Sequence, residues 1–231
     1  MLVQYGAGVL DARGSIGGQT FSRNTYGAYA RARTTPVNPR SARQVVVRSN
    51  ISSLAEYWGG TLTGSQRAAW AVYADAITMT NRLGQSIKLA GFNHFIRGNA
   101  ARLMCGAAIV DDGPTVLGVP ATDPTYAVAV SEATQQISVT FDNTLDWANE
   151  DDGYMTIAMS SPRGAGVSFI GAPLRFAGKI DGATPTPPTS PATIAVPFPV
   201  AAGQVVCCVA RILRGDGRAS TPFRKNAAVA A

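Results

Sequence analysis

Residues 111–124, DDGPTVLGVPATDP, divide the chain into two parts with different hydrophobic patterns. Before this stretch, apolar residues recur about every 3.6 positions, which is the period of a helix. After it, they recur about every second position, which is the period of a strand. Because Asp, Gly and Pro cluster between the two patterns, we predict an α+β protein with a domain linker at 111–124.

Residues 41–110 are predicted to form a helical region. Ser41 with Gln44, and Thr63 with Gln66, match the capping box that starts many helices. The connection between these two helices is short, so we expect an antiparallel helical hairpin, followed by a third helix. The residues that define the three helix faces are Val47, Ile51, Leu54 and Trp58; Trp70, Tyr73, Ala74 and Ile77; and Phe92, Ile96, Asn99 and Leu103.

Residues 125–231 are predicted to form a β-sandwich of the immunoglobulin or fibronectin-III type. Short alternating segments separated by Gly, Pro and Asp turns are typical of that architecture. The proline-rich run at 184–191 is assigned to a loop or an edge, because proline cannot donate to a central ladder. The candidate strands are 126–130, 137–142, 154–160, 167–170, 174–176, 193–197, 205–213 and 219–224.

Residues 1–40 are predicted to form an extended arm with one possible hairpin. Segments 19–23 and 28–33 could pair across the turn-like tetrapeptide Asn-Thr-Tyr-Gly, and Pro36 and Pro39 favour an extended path beyond them. An isolated hairpin is only marginally stable in water. We therefore expect the arm to become ordered by burying its surface on another protein.

Charge is unevenly distributed along the chain. Residues 1–110 carry 12 basic and 3 acidic side chains, whereas residues 111–231 carry 8 and 11. Of the 20 basic residues 17 are Arg, whose planar fork suits both carboxylate and phosphate partners. Assembly with proteins and binding of nucleic acid, by phosphate contacts and ring stacking, are therefore both open. Pro, Gly and the scarcity of Lys favour assembly. The interaction residues we predict are Phe21, Arg23, Tyr26, Tyr29, Arg31 and Arg33.

No catalytic, cofactor-binding or metal-binding residue is predicted. The glycines at 14–18 lack the Lys-Ser/Thr pair of a phosphate loop, and the single histidine, His94, has no recognisable nucleophile beside it. The acidic segment 142–152 lacks EF-hand spacing, so a solvated loop is favoured, with calcium binding or sugar hydrolysis beside Trp147 as weaker alternatives. The tripeptide at 214–216, RGD, continues into Asp-Gly and is expected to be a hairpin turn.

Cysteine usage and hydropathy indicate the compartment. The three cysteines, Cys105, Cys207 and Cys208, show no disulfide or zinc spacing, and neighbours on a strand point to opposite faces. No signal peptide or membrane span is predicted. Synthesis in a reducing cytoplasm is therefore expected.

The order of motifs in residues 10–105 resembles a group of tailed-bacteriophage and prophage proteins. It comprises GSIGGQTFS at 14–22, GAYAR at 27–31, PVNP at 36–39, LTGSQRAAW at 62–70 and GFN at 91–93. The resemblance implies a virion component present in many copies, and the group offers no catalytic residues to carry over. It implies nothing specific about the second half, beyond the immunoglobulin-like character common on phage capsids and tails.

These observations together predict a non-enzymatic virion structural protein, assembled in the host cytoplasm and without a membrane partner. The primary hypothesis is a capsid-associated cement or decoration protein whose arm binds the major capsid protein, other virion proteins or neighbouring copies of itself. One alternative is a neck or tail structural protein. Another is a nucleic-acid-binding protein that uses the Arg-rich and aromatic arm. The sequence leaves open the copy number, the symmetry, the partner surface and metal binding at 142–152.

Overall fold

The computed structural model describes residues 1–34, 38, 40–81, 83–167, 169–171 and 173–231, and it confirms an α+β protein. The extended path expected at Pro36 and Pro39 lies outside these residues. The helices are α1 (Ala42–Gly60), α2 (Gly64–Ala76) and α3 (Gly91–Met104). The first five strands are β1 (Gly14–Ile16), β2 (Gln19–Asn24), β3 (Gly27–Ala32), β4 (Met79–Thr80) and β5 (Ser86–Ile87). The remaining strands are β6 (Ala127–Ser131), β7 (Gln136–Thr140), β8 (Tyr154–Ser160), β9 (Arg163–Gly164), β10 (Leu174–Asp181), β11 (Ala192–Ala195), β12 (Gln204–Leu213) and β13 (Phe223–Ala230).

Local capping signals place the helix starts where the sequence predicts them. The Ser41 hydroxyl accepts a hydrogen bond from the Gln44 amide, and Thr63 and Gln66 form a complete capping box. These bonds satisfy backbone donors that the first helical turn leaves free. None of the helices in the described ranges combines the length and apolar character needed to cross a bilayer.

The third helix is the centre of the helical region. It packs against both α1 and α2, and this arrangement replaces the direct α1–α2 packing expected of a helical hairpin. Trp58 of α1 and Trp70 of α2 both contact Phe95 of α3, with ring centroids 5.3 and 5.6 Å apart. The aromatic cluster around buried Phe95 therefore joins the three helices.

The C-terminal strands hydrogen-bond in one curled sheet. Their order is β10-β8-β12-β13-β6-β7-β11, with the short β9 beside β12, and β13 runs parallel to β6 while the other pairs are antiparallel. The two edges approach each other, because a Cβ added at Gly178 of β10 would lie 2.7 Å from Ile194 of β11. The predicted immunoglobulin-like sandwich is not confirmed, because the strands pair in one continuous order that curls into a near-barrel.

Three predicted strands differ clearly from the observed ones, and the first is 174–176, which continues to Asp181 in β10. Residues 167, 169 and 170 are not in a strand, and the last strand begins at Phe223, later than the predicted 219–224 segment. Residues before Phe223 are needed for the turn that follows β12.

Strands β8 and β12 are buried on both faces. Met155, Ile157 and Met159 point into the sheet's own core, whereas Tyr154 lies on the outer face with Cys105 and other residues against α3. Cys207 and Cys208 also fall on opposite faces of β12, and both are buried free thiols. The expectation that these neighbours point to opposite faces is therefore confirmed.

The first 32 residues supply strand partners for one another. The hairpin of β2 and β3 turns at Asn24 and Gly27 as predicted, and β1 pairs along the other edge of β2. The free edge of β3 is covered by the chain start, where the Met1 ammonium donates to the Ala30 carbonyl at 2.9 Å. An extended arm is not confirmed, because this N-terminal sheet (β1–β3) satisfies much of its own backbone hydrogen bonding.

Candidate protein-interaction surface

The pleat of the N-terminal sheet separates the predicted interaction residues into two groups. Residues directly opposite in antiparallel strands share a face, and Phe21 and Arg23 of β2 lie opposite small alanines of β3. Tyr29 and Arg31 lie opposite Ser22 and Thr20 and therefore project from the other face. Alternation assigns Arg33 to that second face, and Tyr26 occupies the hairpin turn. The sheet does not bring all six residues into one surface.

The arginines of this sheet are exposed and contribute little to the fold. The side chains of Arg23, Arg31 and Arg33 are in the exposed class, and none forms an ion pair with the described residues. Arg13, in contrast, pairs with Asp11 at 3.0 Å. Exposed charges of this kind stabilise a fold by at most about 1 kcal/mol, so these three guanidinium groups are available to a partner.

A cavity of about 680 Å³ lies where the N-terminal sheet meets the β4–β5 turn. Tyr26 and Tyr29 line it from the sheet, and Thr80 and Leu83 line it from the turn. Both tyrosines are therefore partly used by an intramolecular contact. Another protein could contact the exposed edges of the two rings. Tyr26 is the more exposed of the two.

Asn81 attaches the N-terminal sheet to the helical region. Its side-chain amide donates to the Tyr26 carbonyl at 2.9 Å, while its side-chain oxygen accepts from the backbone amides of Leu83 and Gln85. Sequence reasoning identifies a turn at 81–84 but misses this role. An Asn at the start of a turn commonly bonds its own backbone, and nothing local indicates that its amide also reaches residue 26.

The outer edge of β1 is open to a further strand. Among the described residues, Gly14–Ile16 pairs with β2 alone, and Ile16 is 77% exposed. An unpaired edge of this kind is a template for strand addition by another chain. The glycine-rich segment 14–18 includes this edge. Gly17 and Gly18 form the β1–β2 turn, and both have a positive φ that glycine adopts readily.

His94 lies inside the helical region and away from solvent. Its ring packs edge-on against Tyr73 with centroids 5.2 Å apart, and its Nε2 atom has no hydrogen-bond partner among the described residues. Burial, with a smaller contribution from the nearby Arg97 cation, lowers the pKa of His94 to about 4. The imidazole is therefore a neutral core group.

The acidic segment 142–152 is engaged by intramolecular bonds. Arg214 donates to Asp146 at 3.2 Å and also pairs with Glu150. In the described ranges, no group of three or more His, Cys, Asp or Glu side chains is placed to hold a metal ion. The remaining carboxylates accept bonds as follows: Asp142 from Thr144, Asp151 from the Thr184 amide, and Asp152 from the Tyr154 hydroxyl.

Trp147 and the tripeptide at 214–216 bear on two further expectations from the sequence. Trp147 is only 2% exposed and packs against Phe141, so it presents no ring to a sugar. The tripeptide at 214–216 forms a turn in which Arg214 is held by carboxylates and Asp216 accepts from Arg218. The hairpin turn predicted for this tripeptide is therefore confirmed.

Buried arginines join α3 to the curled sheet, and sequence reasoning misses them. Arg102 is 2% exposed and donates to the carbonyls of Ala108, Asp152 and Arg214. Arg97 donates to two further carbonyls, those of Ala219 and Ser220, on the strand-connecting segment after β12. An arginine in a helical pattern normally indicates a solvated face, so no sequence signal distinguishes these two.

No protein-family model, curated protein or solved structure matches this chain.

Proposed function

We propose that this chain is a non-enzymatic structural protein of a bacteriophage virion, a capsid-associated cement or decoration protein. The observation that carries the proposal is the N-terminal sheet, which displays exposed arginines on both faces and an open edge at β1. The motif order of residues 10–105 supports the phage assignment, and the low content of charged residues, 15%, fits a protein that covers surface on neighbours.

The two faces of the sheet suggest how it would join subunits. One face offers Phe21 and Arg23, and the other offers Tyr29, Arg31 and Arg33. Aromatic and Arg side chains are the residues that most often dominate binding energy at interfaces. A thin sheet that carries such residues on both sides can lie between two neighbours and contact each of them. The partners in this proposal are the major capsid protein, other virion proteins or further copies of the chain.

We also infer that the curled sheet is an immunoglobulin/fibronectin-III-like sandwich. Its layers would be β10-β8-β12-β13 and β6-β7-β11, linked by the parallel pair β13–β6. One core contains residues of both layers, including Ile137 and Met155. An experimental structure with two layers about 10 Å apart is the expected result. Continuous hydrogen bonding between β10 and β11 would instead make it a closed barrel.

The N-terminal sheet also favours a second candidate function, binding of nucleic acid. Tyr29, Arg31 and Arg33 share one face, which combines a ring that can stack with two phosphate-binding groups. This candidate predicts DNA affinity that falls steeply with salt, in proportion to the phosphates contacted. Affinity that is absent at low salt would eliminate it.

Charge reversal in the full-length chain tests the primary proposal. Arg23→Glu alters one face of the N-terminal sheet, and the pair Arg31→Glu with Arg33→Glu alters the other. We expect each variant to fold normally and to be depleted from purified particles, with greater depletion when both faces are changed. Arg163→Glu, an exposed reversal in β9, is the matched control.

The copy number per particle distinguishes a capsid location from a neck or tail location. A copy number that matches a capsid lattice supports a cement protein, whereas a small ring-like number supports the neck or tail alternative. Normal incorporation of all reversed variants would contradict the proposed role of the N-terminal sheet.

A further inference from the structure

An apolar groove lies between α3 and the outer face of the curled sheet. Its volume is about 410 Å³, within the range of sites that bind ligands or side chains of other proteins. The apolar residues that line it include Ala101, Met104, Ala158, Leu174, Phe176 and Val209. This groove lies outside the N-terminal sheet, so the inference below does not depend on the proposed function.

The rim of the groove is unusually apolar for a surface. Met104 of α3 and Leu174 of β10, which both line the groove, are 44% and 43% exposed. Adjacent exposed apolar side chains around a concavity are typical of a surface that another protein covers.

The first half of α1 exposes further apolar residues. Val47 and Ile51 lie on the same helix face as the buried Leu54, yet they are 39% and 44% exposed. The Arg43 guanidinium donates to the Phe176 carbonyl at 3.4 Å, which places the start of α1 at the mouth of the groove.

The sequence of this half of α1 has a low propensity to form a helix on its own. Residues 45–53, VVVRSNISS, consist largely of β-branched residues and Ser, which are weak helix formers. Short helices in water depend on packing of an apolar face for stability, and here that face is left exposed for three turns. A partner that covers Val47 and Ile51 would supply the missing packing.

The charge of the groove specifies the partner's chemistry. Arg211, on the outer face of β12, is the one charged side chain among the described residues that line it. Arg211 is half-buried, and its guanidinium has no carboxylate or side-chain hydrogen bond within the described ranges; burial lowers its pKa. A partly desolvated cation without a counter-charge is costly, and a carboxylate supplied by an occupant would offset that cost.

The N-terminal segment of a second copy is a poor occupant by the same criterion. Leu10 and Ile16 are exposed apolar residues that this segment could donate, but the segment is rich in Arg. Bringing that segment towards Arg43 and Arg211 would place like charges together, which opposes association.

We propose that this groove, together with the exposed face of α1, binds an apolar segment that carries carboxylates and belongs to a different protein. Leucine-sized side chains would fill the space beside Leu174 and Met104. A carboxylate of the same segment would pair with Arg211, and a second one with Arg43 at the mouth.

Two synthetic peptides of about 15 residues test the proposal on the full-length chain. Both carry leucines at helical spacing, and their polar positions are Glu in one peptide and Lys in the other. Fluorescence anisotropy should show at least about tenfold tighter binding of the Glu peptide. Leu174→Glu and Met104→Glu should each weaken that binding about tenfold or more. Val72→Glu, which alters an exposed apolar residue of α2, is the control and should bind as the wild type does.

A further variant separates the charge from the apolar contact. Arg211→Met keeps an unbranched apolar stem without the charge and should remove the preference for the Glu peptide while leaving the chain folded. Binding of neither peptide, equal binding of both, or no effect of Leu174→Glu would overturn the proposal. Self-association of the wild type in sedimentation that Leu174→Glu abolishes would also overturn it, because the groove would then belong to a second copy.

Discussion

Gly98 of α3 packs directly against the carbonyl oxygen of Gly217 in the turn between β12 and β13, so closely that a Cβ at position 98 would overlap that oxygen. Gly217 itself has a φ of +85° and lies against the ring of Trp70. The helical region and the curled sheet are therefore in contact backbone to backbone at this point.

Replacing Gly98 by alanine is expected to destabilise the protein by about 2 to 3 kcal/mol, because helix and turn must move apart to make room. Urea unfolding followed by circular dichroism would measure the change. The control is Gly59→Ala in α1, where an added Cβ meets nothing within 4 Å and the helix should become slightly more stable. Equal stability of the two variants would show that the contact is not tight.

Replacing Arg102 by leucine is expected to cost at least about 3 kcal/mol, since three carbonyl groups together lose the charged donor that the buried Arg102 supplies. Differential scanning calorimetry should show a lower Tm for the whole chain. Arg163→Leu, at an exposed position, should leave the Tm within about a degree. A second transition in the Arg102 variant, with the first unchanged, would mean that the two regions unfold independently.

The buried His94 should make stability depend on pH. Its folded-state pKa of about 4 lies below the usual 6.5, so the unfolded chain binds the extra proton more readily. The contribution is fully present above pH 6.5 and is lost as the pH falls towards 4, by up to about 1.4 kcal/mol per pH unit. Urea titrations between pH 4 and 7 would measure it. His94→Phe should flatten this part of the profile, and an unchanged profile would assign the dependence to other groups.

Removing the Asn81 amide should loosen the N-terminal sheet without unfolding the rest. In Asn81→Ala the Tyr26 carbonyl and the β4–β5 turn lose their bonds, so trypsin should cleave after Arg23 or Arg31 faster. The urea midpoint of the remainder should change little. Asn50→Ala in α1 is the control, and equal cleavage of both variants would contradict an attachment role for Asn81.

Local signals account for the features that the sequence predicts well. Thr63 with Gln66 places the start of α2 because the whole capping box lies within four residues, and Asn24 to Gly27 places the hairpin for the same reason. The period change across 111–124 likewise separates the helices from the larger sheet. Each of these features depends on neighbours in sequence.

Distant contacts account for the features that the sequence does not predict. The apolar face of α1 is covered at Leu54 and Trp58, whereas Val47 and Ile51 on the same face are exposed. The donors Arg97 and Arg102 meet carbonyls that lie 50 or more residues away along the chain, apart from Ala108. The division of Phe21 and Tyr29 between two faces follows from register, which pattern alone leaves open.

The backbone contact of Gly98 with Gly217 and the three bonds of Arg102 together remove any hinge between α3 and the curled sheet. Tension applied at α3 would pass into the strands without a change of angle on the way. One molecule held at the helices and another held at the curled sheet would therefore be kept at a constant separation and orientation, as by a stiff spacer.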